Sequence, residues 1–361
     1  MDIQLLKELT SVSAICGHED RLIRLVADKL EGRCDELHID RLGNVTAVFN
    51  GKPGAPTIAY FAHLDELGLI VRRVEENGFL RIERVGGVPE KALLCTPMEV
   101  WTVDGSRSYP AVVGTTSHHV TPPDKKFAVT TTSEIFIDMG LGSKAEVEAL
   151  GVGIGSMITY KPNFSEIGDK IVSKALDDRM GVYVMLKMAE MLQETEHEAT
   201  VALIFSVQEE FSVRACSPAF NRLMPDAAIC LDISPACDTP ELKGKYDMFL
   251  GKGPAIMYLN FHGRGTLGGL IPNPKLNAFL EQICRELAIP SQREVVLGVI
   301  TDDSFTQYLG TEGIPMAHIS IPMRYSHSPT EMACAQDIDD TVKLAMESAL
   351  RFGAATDLSR G

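Results

Sequence analysis

The 361-residue sequence has no run of five or more basic residues, and its formal net charge is −15. Nucleic acids and anionic membranes bind basic patches, so neither is an expected partner. No apolar stretch is long enough to span a bilayer, which argues against a transmembrane helix. Residues 1–16 lack the basic start and long apolar core of a secretory signal, so we expect a cytoplasmic protein.

Cysteine pairs of the Cys-x-x-Cys type are also missing, although the sequence has eight cysteines. We expect free thiols in a reducing compartment rather than a disulfide framework, since several cysteines, such as Cys230, lie among apolar residues. There is no internal repeat, low-complexity tract or long linker. With 45% hydrophobic residues the chain can bury a sizeable core, and its length favours two domains.

What the sequence does contain is a set of short, nearly all-apolar runs, at 57–62, 201–207, 227–231 and 316–323. Such runs are typical of strands buried on both faces of a sheet. Helical spacing of apolar residues predicts an amphipathic helix at 180–193 and further helices at 274–287 and 336–353. This alternation predicts an α/β fold, a three-layer α/β/α domain with a mixed, mostly parallel sheet.

Between residues 69 and 168 the pattern changes to short alternating segments broken by glycine and proline. Such segments are typical of antiparallel strands in a small barrel or sandwich. One helix is predicted among them at 143–150, with Ser143 as N-cap and Glu146 completing a capping box. We therefore predict a main domain of residues 1–68 and 169–361, interrupted by an inserted, barrel-like β domain at 69–168.

Residues able to bind metal ions follow the ends of the four apolar runs. They are His63, the adjacent Glu209 and Glu210, Asp232 and His327. A further carboxylate, Asp177, lies in Lys-Ala-Leu-Asp-Asp-Arg-Met-Gly (174–181), at the start of the helix predicted at 180–193. The ligand site of a parallel sheet lies beyond the carboxyl ends of its strands, so these side chains are expected to converge in one crevice.

Each of these residues alone has an ordinary structural explanation. His63 could be a structural histidine, Asp232 a turn residue and Asp177 a helix cap, and adjacent glutamates are usually a solvated face. Their joint placement favours a dinuclear site in which Asp177 bridges the ions, since each ion then needs about two more protein ligands plus water. His63 and Asp232 would serve one ion, and Glu210 and His327 the other.

Two further carboxylates suggest how such a site would work. Consecutive residues of an extended chain point to opposite sides, so Glu209 would be free if Glu210 binds metal. Glu209 could then act as general base and take a proton from a metal-bridging water. Asp65 is placed to hold the outer nitrogen of the His63 imidazole.

His118 and His119 are set apart from these candidates, because they lie in the inserted domain. We interpret them as part of a loop face. The alternative is that they reach the site of a neighbouring subunit.

Six motifs, in this order, resemble the signatures of the tetrahedral and glutamyl aminopeptidases, which are dinuclear metallopeptidases. They are Ala-His-Leu-Asp-Glu-Leu-Gly (62–68), Lys-Ala-Leu-Asp-Asp-Arg-Met-Gly (174–181), Gln-Glu-Glu (208–210), Leu-Asp-Ile-Ser (231–234), Thr-Asp (301–302) and His-Ser-Pro-Thr-Glu (327–331). The resemblance covers nearly the whole chain. It implies a metallo-aminopeptidase that releases single residues from peptide N-termini, with two zinc or cobalt ions per subunit.

The same resemblance implies that the inserted β domain makes subunit contacts and that the chain forms a homo-oligomer, a hollow tetrahedral dodecamer. By motif match, the metal ligands are His63, Asp177, Asp232, Glu210 and His327. Glu209 is then the general base, and Asp65 orients a ligand. This assignment agrees with the one made from spacing.

Two departures from the family pattern bear on activity. Residues 211–216 read Phe-Ser-Val-Arg-Ala-Cys where the family has Gly and then Arg-Gly, so the loop beside Glu209 is expected to have a different shape. Asp303 stands where the family has alanine, and its carboxylate is expected to alter the substrate pocket in favour of basic side chains.

Two other functions stay open at this point. One is a catalytically altered family member that acts as a binding or scaffold subunit. The other is a metal-independent glycosidase that uses Glu209 with a second carboxylate at a separation of ~5–9 Å. Chelation would distinguish the glycosidase from a metallopeptidase, and turnover of aminoacyl amides would distinguish the scaffold.

Overall fold

The computed structural model describes residues 1–263 and 267–360. Its helices are α1 (Ile3–Ser11), α2 (Asp20–Leu30), α3 (Lys144–Ala149), α4 (Leu176–Leu192), α5 (Glu209–Ser212), α6 (Ser217–Leu223), α7 (Pro274–Leu287), α8 (Asp303–Thr306) and α9 (Ala335–Arg351). Its strands are β1 (Glu36–Ile39), β2 (Val45–Phe49), β3 (Thr57–His63), β4 (Gly68–Val74), β5 (Leu80–Val85), β6 (Pro97–Trp101), β7 (Ser108–Gly114), β8 (Phe136–Asp138), β9 (Met157–Tyr160), β10 (Ser165–Ile167), β11 (Lys170–Ser173), β12 (Thr200–Ser206), β13 (Ala227–Pro235), β14 (Ala255–Phe261), β15 (Gly269–Leu270), β16 (Gln292–Leu297), β17 (Met316–Arg324) and β18 (Glu331–Cys334).

The larger sheet has four parallel strands at its centre. Within the described ranges it has twelve strands, with the order β1-β2-β12-β3-β13-β17-β18-β11-β10 and with β14 pairing with β15, β16 and β17. Strands β12, β3, β13 and β17 are parallel, and the strands outside them in this order are antiparallel to their neighbours. Ser206 pairs with His63, and Cys230 pairs with Phe61, so Asp232 is level with His63. The parallel strand ends therefore meet at one edge of the sheet.

Alternate side chains of the central strands pack into two separate cores. Ile58 and Tyr60 of β3 pack on the face covered by α1, α2, α4, α7 and α9, whereas Ala59 and Phe61 pack on the opposite face with α6. Burial on both faces is the physical reason for the nearly all-apolar runs of the sequence. The predicted three-layer α/β/α fold is confirmed.

Helix α4 is buried on all sides only in its N-terminal part, so the prediction of an amphipathic helix at 180–193 holds only for the C-terminal part, where Lys187, Glu190 and Met191 are partly or fully exposed. Every residue from 176 to 186 is buried. The helix lies between strand β3 and the helices α1, α2 and α9. A helix that is covered all round carries apolar residues all round. The cover comes from distant parts of the chain, which local periodicity does not reveal.

The inserted segment forms a closed barrel with the strand order β4-β5-β8-β7-β6-β9. Its interior is a separate apolar core, to which Leu69, Ile82 and Ile158 contribute. The barrel confirms the predicted inserted β domain. Its strands end at Tyr160, and β10, although inside the range 69–168, pairs with β11 of the larger sheet.

The helix predicted in the insertion is present as α3. The Ser143 hydroxyl accepts a hydrogen bond from the backbone N–H of Glu146, as an N-cap does. The Glu146 carboxylate accepts a hydrogen bond from the backbone N–H of Gly142, one residue before the position that a standard capping box would use.

The described helices include none that is both long and apolar enough to cross a membrane. All eight cysteines are free thiols. Cys95 is exposed, whereas Cys216, Cys230, Cys284 and Cys334 are buried.

Candidate metal centre

The strand ends of the parallel sheet deliver the predicted residues to one cavity of about 480 Å³. The cavity is lined, among others, by His63, Asp177, Glu209, Glu210, Asp232 and His327. His63 is the last residue of β3, and Asp232 lies within β13 at the same level. All six of these predicted residues are thus brought together from segments more than 250 positions apart in sequence.

The Asp177 carboxylate lies between the two imidazoles. Its Oδ1 is 3.1 Å from Nε2 of His63, and its Oδ2 is 3.5 Å from Nε2 of His327. Each oxygen thus faces a different histidine. This is the geometry that a ligand shared between two cations needs.

The remaining predicted ligands lie on the two sides of Asp177. Oε1 of Glu210 is 3.7 Å from Nε2 of His327. Asp232 belongs with His63 and Asp178 to a group whose ligand atoms all lie within 4.8 Å of one another, and His63, Asp177 and Glu210 form a second such group.

Both histidines present the same ring nitrogen to the carboxylates. Nδ1 of His63 donates to the backbone carbonyl of Asp65 at 3.1 Å, and Nδ1 of His327 donates to the backbone carbonyl of Gly87 at 3.0 Å. With Nδ1 protonated, Nε2 carries the lone pair that a metal ion takes. The orientation of both rings therefore fits metal binding.

The Asp65 carboxylate is farther from His63 than its own carbonyl is. Its Oδ1 lies 3.6 Å from Nδ1 of His63. It accepts hydrogen bonds from the backbone N–H groups of Glu209 at 3.0 Å and Glu210 at 3.1 Å, and from the Cys16 thiol at 2.9 Å. Asp65 thus fixes the backbone that carries both glutamates.

The two glutamates occupy one turn of helix α5 and not an extended chain. Gln208 has φ 57°, and this left-handed residue turns the chain from β12 into α5. Glu209 points towards His63, with Oε2 at 4.0 Å from Nε2, while Glu210 points towards His327. The expectation that Glu209 and Glu210 have different roles assumed an extended backbone, and that assumption is wrong. The two side chains nevertheless point towards different histidines.

Glu209 is 6% exposed, and its Oε1 has no hydrogen-bond partner within the described residues. A buried carboxylate oxygen without a partner is costly unless a ligand or water completes it. This oxygen is therefore open to a molecule in the cavity.

Three positions that sequence reasoning did not assign also support the site. The Glu331 carboxylate accepts hydrogen bonds from the backbone N–H of His327 at 2.8 Å and of Asp177 at 3.1 Å. Asp178 accepts one from the backbone N–H of His63 at 3.3 Å, and Gly87 provides the carbonyl described above. Glu331 ends the His-Ser-Pro-Thr-Glu motif and Asp178 follows Asp177, so both lie within motifs identified in the sequence. No sequence pattern marks Gly87.

The charged groups that line the cavity favour the binding of cations. Burial, together with the neighbouring charge of Asp177, raises the pKa of Glu210 and of Asp232 to about 7. Burial opposes a charge on His327, but Glu210 and Asp177 outweigh it and raise the pKa of His327 to about 10. Buried carboxylates outnumber imidazoles, and divalent ions would neutralise the excess negative charge.

Asp303 does not contact the cavity, so the expectation that it reshapes the substrate pocket is wrong. Its carboxylate is fully buried, lies 2.6 Å from Nδ1 of His318, and accepts a hydrogen bond from the Thr301 hydroxyl at 2.6 Å. His318 lies on the α6 side of the sheet, because side chains alternate along β17. The carboxylate is thus held by its buried neighbours, away from any substrate.

The segment 211–216 contains no glycine, and its shape relative to the family stays a prediction. Val213 has φ 44°, a left-handed conformation that a β-branched residue adopts only with strain, and it lines the cavity. Phe211 points outward and is 72% exposed. His118 and His119 are exposed in the loop between β7 and β8, with ring centroids 6.1 Å apart, and neither lines the cavity.

Comparisons with known proteins find relatives over nearly the whole chain. A family model described as M42 glutamyl aminopeptidase matches residues 43–344. SgcX of Escherichia coli is 40% identical over 92% of this chain and 89% of its own length. The lysyl aminopeptidase of Pyrococcus furiosus is 34% identical over 96% of each chain.

Solved structures share the whole architecture. An aminopeptidase from the archaeon Desulfurococcus kamchatkensis superposes with a TM-score of 0.90 at 39% identity and covers 97% of this chain and 94% of its own. The Pyrococcus horikoshii TET1 peptidase, described as assembling into a tetrahedron or a large octahedral shell, has a TM-score of 0.84 at 27% identity, with 97% and 99% covered. From the fold, the cavity and these relatives, the chain belongs to the M42 glutamyl aminopeptidase family and is a peptidase.

Proposed function

We propose that this chain is a dinuclear, metal-dependent aminopeptidase that releases residues from the N-termini of peptides. The observation that carries the proposal is the Asp177 carboxylate, which directs one oxygen to His63 and the other to His327. A carboxylate in this position can be shared by two ions, and paired ions are common in aminopeptidases.

Two divalent ions, zinc or cobalt, fit the donor set of imidazole and carboxylate. The proposed ligands are His63 and Asp232 for one ion, Glu210 and His327 for the other, and Asp177 for both. When bound, such ions polarise a carbonyl oxygen and lower the pKa of a water molecule towards neutrality. Asp178 and Glu331 hold the backbones of these ligands in place.

Glu209 is the proposed general base. Its carboxylate is buried in the cavity beside His63, and its Oε1 makes no hydrogen bond within the described residues. It can take a proton from the attacking water and give it to the leaving amine. Asp65 supports this role, since it holds the backbone N–H of Glu209.

The cavity also suits a substrate with a free amino terminus. The α-ammonium group of a peptide is a cation, and the Glu209 carboxylate, which is not among the proposed metal ligands, lines the cavity. A blocked N-terminus would lose this attraction, which is why removal from the N-terminus is proposed rather than internal cleavage.

The test is the substitution Glu209→Gln, with Glu83→Gln on the exposed barrel surface as the matched control. We expect Glu209→Gln to keep two metal ions per subunit by mass spectrometry and to lose ~10²–10⁴-fold in kcat towards aminoacyl p-nitroanilides. The control keeps both. A metal-loaded Glu209→Gln enzyme with undiminished turnover would refute the general-base assignment.

Metal removal tests the wider proposal. A chelator should abolish the activity of the unaltered protein, and zinc or cobalt should restore it. Activity on glycosides that survives the chelator would favour the metal-independent glycosidase. A protein that binds two ions yet turns over no aminoacyl amide would favour the binding or scaffold subunit.

We further propose a homo-oligomer, a tetrahedral dodecamer in which the inserted barrel at 69–168 makes subunit contacts. The support is the assembly described for the Pyrococcus horikoshii relative. Peptides are the expected partners, in a cytoplasmic setting, without nucleic acid or membrane. Light scattering of the purified protein measures the subunit number directly, and a monomer would contradict the proposal.

A further inference from the structure

The cavity has two chemically different ends. One end holds the candidate metal ligands and Glu209. The wall away from them is largely apolar, with His262, Thr301 and Ser326 as its polar members, and its apolar residues are Val213, Ile233, Pro235, Leu297, Val299 and Ile300. This contrast bears on which side chain of a substrate the cavity accepts.

The apolar wall is built continuously with the metal centre. Strand β13 carries Asp232 and then Ile233 and Pro235, so one strand supplies a candidate ligand and part of the wall. The loop 298–302 crosses on the other side and is fixed at its start, where the backbone N–H of Gly298 donates to the carbonyl of Phe261 at 2.8 Å. The wall therefore starts within one residue of the ligand Asp232.

Ile300 is held in place by close packing. A Cβ atom at Gly268 would lie 2.3 Å from Cδ1 of Ile300, so the isoleucine occupies the space that this glycine leaves. The wall residue is thus seated against the main chain of a neighbouring segment.

Among the described residues, no lysine or arginine lines the cavity, and its carboxylates are Asp177, Glu209, Glu210 and Asp232, all of which have proposed roles at the metal centre. The ionisable side chain that lies with the apolar residues is the imidazole of His262. Among these lining residues an acidic substrate side chain would therefore meet no lysine or arginine, and a lysine would meet no carboxylate outside the metal centre. A charged side chain loses hydration on an apolar wall, so the wall favours an apolar one.

We infer that the cavity selects peptides with an apolar N-terminal residue, such as leucine, isoleucine or methionine, over those with an acidic or basic one. The inference rests on the proposed aminopeptidase function and adds its substrate class. It separates this chain from the lysyl aminopeptidase of Pyrococcus furiosus and from the glutamyl activity in the description of its family.

The first experiment is a panel of p-nitroanilides of leucine, isoleucine, methionine, glutamate and lysine with the metal-loaded protein. We expect kcat/KM for leucine to exceed that for glutamate and for lysine by ~10-fold or more. A higher value for glutamate or lysine would overturn the inference and leave the aminopeptidase proposal intact. Turnover of none of the five would instead refute the proposed function.

Binding gives a readout that does not need turnover. Calorimetry of the metal-loaded Glu209→Gln variant with leucinamide, glutamic acid α-amide and lysinamide should give the tightest binding for leucinamide. Equal or weaker binding of leucinamide would contradict the inference even if the chemistry were slow.

Charge placed on the wall should redirect the preference. Val299→Glu is expected to raise the ratio of kcat/KM for lysine to that for leucine by ~10-fold or more, and Val299→Lys should do the same for glutamate. Val299 is partly exposed in a loop, so both variants should fold. Val295→Glu is the control, because Val295 is 61% exposed on β16 and does not line the cavity. Ratios that stay unchanged in both Val299 variants would refute the role of this wall.

Discussion

The larger sheet and the barrel bury apolar residues in different ways, and the difference explains where the chemistry lies. The central strands are buried on both faces, so most side chains along their length are committed to packing. Reactive groups are displaced to the strand ends and the turns beyond them, as with His63 and Glu209. The barrel strands bury one face and have no matching set of reactive ends.

The barrel instead reaches the site through its main chain. Gly86 and Gly87 follow β5 and pass against the candidate ligands. A Cβ at Gly86 would lie 2.4 Å from Cδ2 of Leu67 and 3.3 Å from Cβ of Glu210, and a Cβ at Gly87 would lie 3.0 Å from Nδ1 of His327. The larger sheet and its turns supply the candidate ligands, and the barrel supplies a close backbone contact to His327.

The largest difference in activity is expected between an Asp→Asn substitution at the candidate metal centre and the same substitution in the inserted domain. Asp177→Asn removes the charge shared by the two histidines, so metal content should fall below two ions per subunit and kcat/KM should fall by ~10³-fold or more. Asp124→Asn in the exposed loop between β7 and β8 should change neither value. Metal analysis and steady-state kinetics of both variants test these two expectations. Two tightly bound ions in Asp177→Asn would break the contrast.

A smaller effect is expected where the barrel touches the site. In Gly87→Ala the new Cβ crowds the His327 ring, which must shift by a few tenths of an ångström. We expect metal affinity, measured by competition with a chelator, to fall by ~10-fold, as for other groups that orient a ligand. Gly153→Ala is the control, since its nearest atom would lie 3.7 Å away. Equal affinities for the two variants would mean that the barrel does not position His327.

The smallest effect is expected inside the barrel. Ser143→Ala removes the N-cap of α3 and should lower the free energy of unfolding by about 1 kcal/mol, measured by urea titration. The value of kcat/KM should stay within about two-fold, because α3 lies outside the cavity. A large loss of activity would show that barrel stability and the site are coupled more strongly than the backbone contact implies.

Sequence reasoning located the parts of the site that local patterns record. A buried strand followed by a polar residue marked His63 and Asp232, and parallel registry then made their convergence a geometric necessity. Gly87 could not be found in this way, since its role depends on one contact across 240 positions. The position of Asp303 was misjudged because its partner, His318, is set by the alternation of a distant strand.

The fold, like the site, was predictable where local sequence patterns determine it. The long elements were located closely. Short strands such as β10 and β18 were not, because pairing with distant strands stabilises them more than their own propensity does. Helix α4 was assigned correctly as a helix, but residues 176–186 are buried on all sides rather than on one face, since their cover comes from α1, α2 and α9.

Glu331 has a consequence for how the protein would hold the proposed metal ions. One carboxylate anchors the main chain of both Asp177 and His327, and Asp65 does the same for the glutamate pair. The donor atoms are thus preorganised by hydrogen bonds that do not involve the ions. Unlike a zinc finger, whose folding depends on its metal, such a scaffold can release one kind of ion and take up another without refolding.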